Sequence, residues 1–136
     1  MTKEKPQSVP ALKTYKSLQE LLLDKDLAGL GDAYVNFVYS LAMSQKHGRP
    51  MGAKVNNQVL ADAVETSGLR KFLPHRVDRH TRGNAAEALL VFAWLQDMHE
   101  FEDCIKKLSK EENPTQAFAI LLHDVLERLG VNHEHT

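Results

Sequence analysis

The string LAGLGDAYVNFVYSLAM, Leu27 to Met43, decides how this chain is read. From Leu27 to Gln45 the apolar residues Leu30, Tyr34, Phe37, Val38 and Leu41 recur at steps of three and four, which predicts a helix with one buried stripe. Within it Asp32 is the only charged residue between Asp26 and Lys46. A lone carboxylate in a greasy helix needs something to stabilise it.

A second string carries the same anomaly. In AAEALLVFAWL, Ala85 to Leu95, Glu87 is the one polar side chain, and the run is too apolar all round for any face to be wet. Glu87 is therefore expected to be at least partly buried. An unpaired ionised carboxylate in apolar surroundings costs several kcal/mol, so such a group is normally paired, protonated or bound to a metal. Two of them suggest a shared partner. Mg²⁺ or Mn²⁺ is the natural candidate, since hard cations prefer oxygen ligands and keep several waters of their own. Asn84, three residues before Glu87, falls on the same helix face and can address the same ion. Local alternatives stay open. Asp32 after Gly31 can cap a helix start, and Asn84 with Glu87 has the spacing of a capping box. Neither explains well why two lone acids each lead an unusually apolar helix.

Outward from these strings the punctuation is helical throughout. HGRPMG ends the first helix, and a second is expected from Lys54 to Thr66 with Val55, Val59, Leu60, Ala63 and Val64 inward and Gly68 as its stop. A short apolar turn, Leu69 to Leu73, ends at Pro74. The helix bearing Glu87 is expected to start near Gly83 or Asn84 and run to about Lys107, bending at DMHEFED. Asn113, Pro114 and Gly130 punctuate a last helix whose core face is Phe118, Leu121, Leu122, Val125 and Leu129. No segment alternates with a period of two. The reading is all-α: a polar tail over residues 1–14, with Pro6 and Pro10, then one helical domain over 15–136.

Composition bounds the function. Hydrophobic content of 43% and charged content of 26% are ordinary for a globular chain, which sets aside disordered and fibrous classes. No apolar stretch is long enough to span a bilayer, and MTKEKPQSVP lacks the apolar segment of a secretory leader, so no membrane partner and a cytoplasmic address are expected. The single cysteine, Cys104, suits a reducing compartment. Net charge is −1, but residues 45–82 hold eight cations, Lys46, Arg49, Lys54, Arg70, Lys71, Arg76, Arg79 and Arg82, against Asp62, Glu65 and Asp78. That segregation can give one face a phosphate-attracting potential, or it can be a solvated surface.

Gly29 to Leu41, GLGDAYVNFVYSL, resembles the signature helix of the ribonuclease III family, in which a leucine-glycine-aspartate-alanine turn leads into an apolar helix. NAAEALLVFAWL, Asn84 to Leu95, is similar to the family's later helix, and AKVNNQVLADAVETSGLRKFL, Ala53 to Leu73, to its connecting helix and glycine-leucine exit. The three occur in the family's order over Gly29 to Leu95, about half the chain.

The resemblance implies a helical endonuclease domain, of the compact kind without a separate double-stranded-RNA-binding domain, for which the 41 residues after Leu95 leave no room. It makes Asp32 and Glu87 catalytic metal ligands, with Asn84 standing where the family usually has an aspartate. Ala28 falls where full-length members carry a further glutamate, and Gly29 where many carry an aromatic that plugs a socket on the dimer partner. The implied activity is Mg²⁺- or Mn²⁺-dependent hydrolysis of double-stranded or structured RNA by a homodimer. Lys54 and RKFLPHRVDRHTR, with Arg70, Lys71, Arg76, Arg79 and Arg82, would grip RNA phosphates. The alternative is a non-catalytic module of the same fold that binds RNA or protein.

His123-Asp124 resembles the metal pair of HD-type phosphohydrolases, but that family needs an aspartate further downstream and none follows Asp124. His133 and His135 belong to a polar terminus, and His75 and His80 either supplement the basic cluster or are plain loop histidines.

Overall fold

A computed structural model describes residues 14–131. The expected tail over 1–14 and the pair His133 and His135 thus lie outside the described residues, apart from exposed Thr14. The described chain is helical, in the order α1 (Leu18–Leu22), α2 (Lys25–His47), α3 (Asn57–Ser67), a 3₁₀ turn (Leu69–Phe72), α4 (Arg79–Leu95), α5 (Phe101–Lys110) and α6 (Pro114–Leu129). None of these helices is long and apolar enough to cross a membrane.

Helix α4 is the centre. Gly83, every residue from Ala85 to Val91, and Ala93 and Leu95 are buried, because α2 packs along one side of it and α3 and α6 close the others. Burial at roughly 25 cal/mol per Å² of apolar surface makes this helix the main stabilising element.

The buried stripe of α2 differs from the expected one. Leu27, Ala28, Gly31, Val35, Val38 and Ala42 face inward, whereas Leu30 and Phe37 are 38% and 57% exposed. Of the expected stripe, Val38 is buried and Tyr34 packs against the core, while Leu30 and Phe37 fall outside it. Helices approach most closely where side chains are smallest, and Gly31, set against the Glu87 backbone, marks the face toward α4.

Two boundaries also move. The second helix begins at Asn57, capped by the Asn56 side chain, and not at Lys54. Residues 51–55 instead run along α2, tied by its polar side chains. The Ser44 hydroxyl accepts from Met51 N at 2.9 Å, the Ser40 hydroxyl from Ala53 N at 2.8 Å, and Asn36 Oδ1 from Val55 N at 2.8 Å. The helix carrying Glu87 starts earlier than expected, capped by the Asp78 carboxylate on Thr81 N at 2.8 Å, and it stops at Leu95 rather than continuing toward Lys107. A Schellman turn ends it: Met98 N donates to Ala93 O at 2.8 Å and Asp97 N to Trp94 O at 3.1 Å, with Asp97 at φ +61°. An aspartate sits where glycine is the usual signal, which is why the break was not legible.

Asn113, Pro114 and Gly130 bound α6 as expected, with Gly130 at φ +78°. Cys104 is buried in the core.

Candidate functional site

Position Asp32 lies eight residues beyond the Asp24 cap of α2, and Asn84 six residues beyond the Asp78 cap of α4. Both capping alternatives are thereby excluded. Neither Asp32 nor Asn84 and Glu87 serves a helix start.

What joins the two acids is a contact of backbones. A β-carbon added at Gly31 would fall far inside contact distance of the main-chain carbonyl of Glu87, so only glycine lets α2 approach α4 here. The next residue, Asp32, consequently meets the Glu87 side chain, and the two carboxyls share a hydrogen bond. Their settings differ. Asp32 is exposed and held by Asn36, whose Nδ2 donates to Asp32 Oδ1 at 3.1 Å. Glu87 is only 7% exposed. Burial first, and then the hydrogen bond and charge of Asp32, push the Glu87 carboxyl up to about 8, with Lys54 pulling the other way. The pair therefore holds a proton that two separate carboxyls would release. The expectation that both acids are embedded in apolar surroundings holds for Glu87 alone.

The pair opens into a cleft of about 540 Å³ lined by Lys25, Ala28, Gly29, Asp32, Lys54, Val55, Asn57, His80, Asn84 and Glu87. The structure thus brings Asp32, Asn84, Glu87 and Lys54 together. Lys54 arrives because Asn36 and Ser40 hold residues 53 and 55 against α2. Among the described residues no group of three or more His, Cys, Asp or Glu side chains converges as a ready metal cage. The side-chain oxygen donors lining this cleft are the carboxyls of Asp32 and Glu87 and the amides of Asn84 and Asn57, of which Asn84 shares a helix face with Glu87.

The remaining cations of the basic segment divide. Arg70 donates to Pro74 O at 2.9 Å and to His75 O, Arg82 donates to Val77 O at 3.0 Å, and their Nε atoms lie 3.6 and 3.8 Å from Glu65 Oε2. These two arginines tie the loop between the 3₁₀ turn and α4 to α3. Lys71, Arg76 and Arg79 are exposed, with Arg79 bonded to Gln58 Oε1 at 3.0 Å.

Sequence reasoning missed Lys25, Asn57 and His80 as cleft residues. His80 was legible in part, since His80, Asn84 and Glu87 step by four and three along one helix face; placing the helix start at 83 or 84 hid it. The HD-type reading finds no support. His123 lies 3.5 Å from Glu127 one turn on along α6, and Asp124 pairs with Lys107 of α5 at 3.1 Å, so each engages a different surface neighbour.

A family model described as Ribonuclease III matches residues 25–131, from the first residue of α2 to just beyond α6. A comparison with curated proteins found no match.

Proposed function

From the premise that this chain belongs to the ribonuclease III family, we propose that it is a metal-dependent endoribonuclease that hydrolyses double-stranded or structured RNA. The observation that carries the reading is the shared cleft of Asp32, Asn84 and Glu87, with one carboxyl buried and one exposed.

The donor set fits Mg²⁺ or Mn²⁺. Two carboxylates and an amide oxygen on a solvent-open cleft suit a hard ion that keeps several waters, and a cation would counter the burial and the Asp32 contact that otherwise keep a proton on Glu87. Asp32 and Glu87 would hold the ion and Asn84 would add a weak ligand. Bound there, it supplies the positive charge that offsets charge developing on the phosphate and eases ionisation of an attacking water. The chain's own groups do the rest. Asn36 orients Asp32, Lys54 adds positive charge for a phosphate, and burial keeps Glu87 in one conformation. Water gives up a proton to solvent and forms the new P–O bond, the bridging P–O bond breaks, and the leaving oxygen takes a proton from solvent.

Phosphate contacts are assigned to Lys54, Lys71, Arg76 and Arg79, while Arg70 and Arg82 shape the loop that presents them. Two copies are expected to pair through the exposed α2 residues Leu30 and Phe37. Gly29 has open space where an aromatic plug would stand, so these two side chains have to supply the contact. The lone buried Cys104 is in keeping with a cytoplasmic site of action.

A second reading, a non-catalytic module that binds RNA or protein, is favoured by the depleted acid set. Ala28 lines the cleft without a carboxylate, and Asn84 is uncharged. Long duplex RNA incubated with Mg²⁺ or Mn²⁺ separates the two. The nuclease reading requires cutting that is lost in Asp32→Asn and Glu87→Gln; intact RNA with retained binding establishes the module instead.

A further inference from the structure

The cleft has a wall that the reading above leaves idle. His80, Asn84 and Glu87 share one face of α4, and all three line the cleft. The one hydrogen bond of the His80 ring among the described residues joins its Nδ1 to Asn57 Nδ2, at 3.5 Å. An amide nitrogen can only donate, so in this arrangement Nδ1 accepts and Nε2–H is the ring's free donor. The amide reaches this position because residue 83 is glycine. A β-carbon there would collide with Asn57 Oδ1. Gly83 thus leaves room for the Asn57 side chain, which meets His80 on the rim of the acid pair.

We infer that His80 is a substrate-binding residue whose Nε2–H donates to a phosphate oxygen of an RNA strand lying in the cleft, next to Lys54. The inference rests on the RNA-directed reading above. His80 stands outside any ion's ligand set, because it does not converge with Asp32 and Glu87 as a three-donor group. Its cleft neighbours Lys25 and Lys54 are cationic, so an oxyanion is the ligand this wall accepts. Asn57 is the positioning residue: it fixes the tautomer and the ring.

The test is binding of a labelled RNA duplex by fluorescence anisotropy in Ca²⁺, across a salt series, with thermal unfolding of each variant as a control. His80→Ala is expected to weaken affinity about tenfold, equivalent to about 1.4 kcal/mol. His80→Gln, which keeps a donor near the Nε2 position, is expected to recover most of that loss. Asn57→Ala should weaken binding less than His80→Ala. Lys54→Ala should in addition reduce the salt slope by about one. Unaltered affinity in His80→Ala, or equal loss in His80→Ala and His80→Gln with a lowered melting temperature, overturns the inference while leaving the nuclease reading intact. Absence of duplex binding by the wild-type chain overturns the RNA-directed reading itself, and the His80 assignment with it.

Discussion

Gly31 lies against the backbone carbonyl of Glu87, and this contact sets the candidate site. An α-helix presents its next side chain about 100° further round, so the contact carries the Asp32 carboxyl to the edge of the α2–α4 seam, beside that of Glu87. The glycine thus does structural and functional work at one position.

Replacing Gly31 by alanine is expected to destabilise the fold by about 1 to 3 kcal/mol, as overpacking of a tight interface does. It also moves Asp32 away from Glu87, so stabilisation by Mn²⁺ should shrink. Gly29→Ala is the control. No atom lies within 4 Å of a β-carbon there, and alanine is the better helix former, so stability should hold or rise by up to about 1 kcal/mol. Urea unfolding of both variants measures the contrast.

Stability should depend on pH in a way that Glu87→Gln abolishes. Glu87 is raised from 4.5 to about 8, so the native state keeps a proton that the unfolded chain releases, and its contribution, full below pH 4.5, is lost as pH rises toward 8. His99 runs the other way. Burial, aided by Lys107, lowers it from 6.5 to about 4, so its contribution is present above pH 6.5 and lost as pH falls toward 4. The two trends oppose each other between 4.5 and 6.5, and from 6.5 to 8 the Glu87 loss stands alone. Metal-free wild type should therefore lose about 2 kcal/mol across that upper interval, while Glu87→Gln stays flat. Thermal unfolding at a series of pH values reads this directly.

Addition of Mg²⁺ or Mn²⁺ should raise the melting temperature at pH 8, in proportion to the logarithm of metal concentration once the site is filled. The rise should vanish in Asp32→Asn. An equal rise in wild type and variant would show that the ion binds elsewhere.

Restoring an acid at position 84 should strengthen the site. Asn84→Asp is expected to tighten Mn²⁺ binding about tenfold, about 1.4 kcal/mol, and to raise the cleavage rate of duplex RNA. Calorimetric titration and a gel assay report on the two effects separately.

The exposed ring of Phe37, 57% accessible and 5.8 Å from that of Phe101, predicts the oligomeric state. Phe37→Asp should convert a dimer to a monomer in sedimentation velocity with little change in melting temperature, since the side chain is not part of the core. A monomeric wild type would remove the dimer from the proposed function.

Much of the fold was legible because helix signals are local. The Asn113–Pro114 start and Gly130 stop of α6, the Gly68 stop of α3 and the all-helical class follow from caps and periodicity that act within a turn or two. The failures share a cause. The phase of the α2 stripe depends on which residues let α4 approach, and the break after Leu95 depends on Asp97 accepting a left-handed conformation without glycine's usual advantage.

The candidate site divides along the same line. Composition alone singled out Asp32 and Glu87, because a charge in an apolar helix is conspicuous in one dimension, and it put Asn84 on the face of Glu87 through helical spacing. Tertiary packing decided that one acid is buried and the other wet, that Lys54 joins them while Arg70 and Arg82 are consumed by the loop, and that Asn57 and His80 form the neighbouring wall. The acid pair and its neighbouring wall arise from contacts between residues far apart in the chain, at Gly31 with the Glu87 backbone and at Gly83 with the Asn57 side chain, and no local pattern encodes which glycines will meet a distant residue.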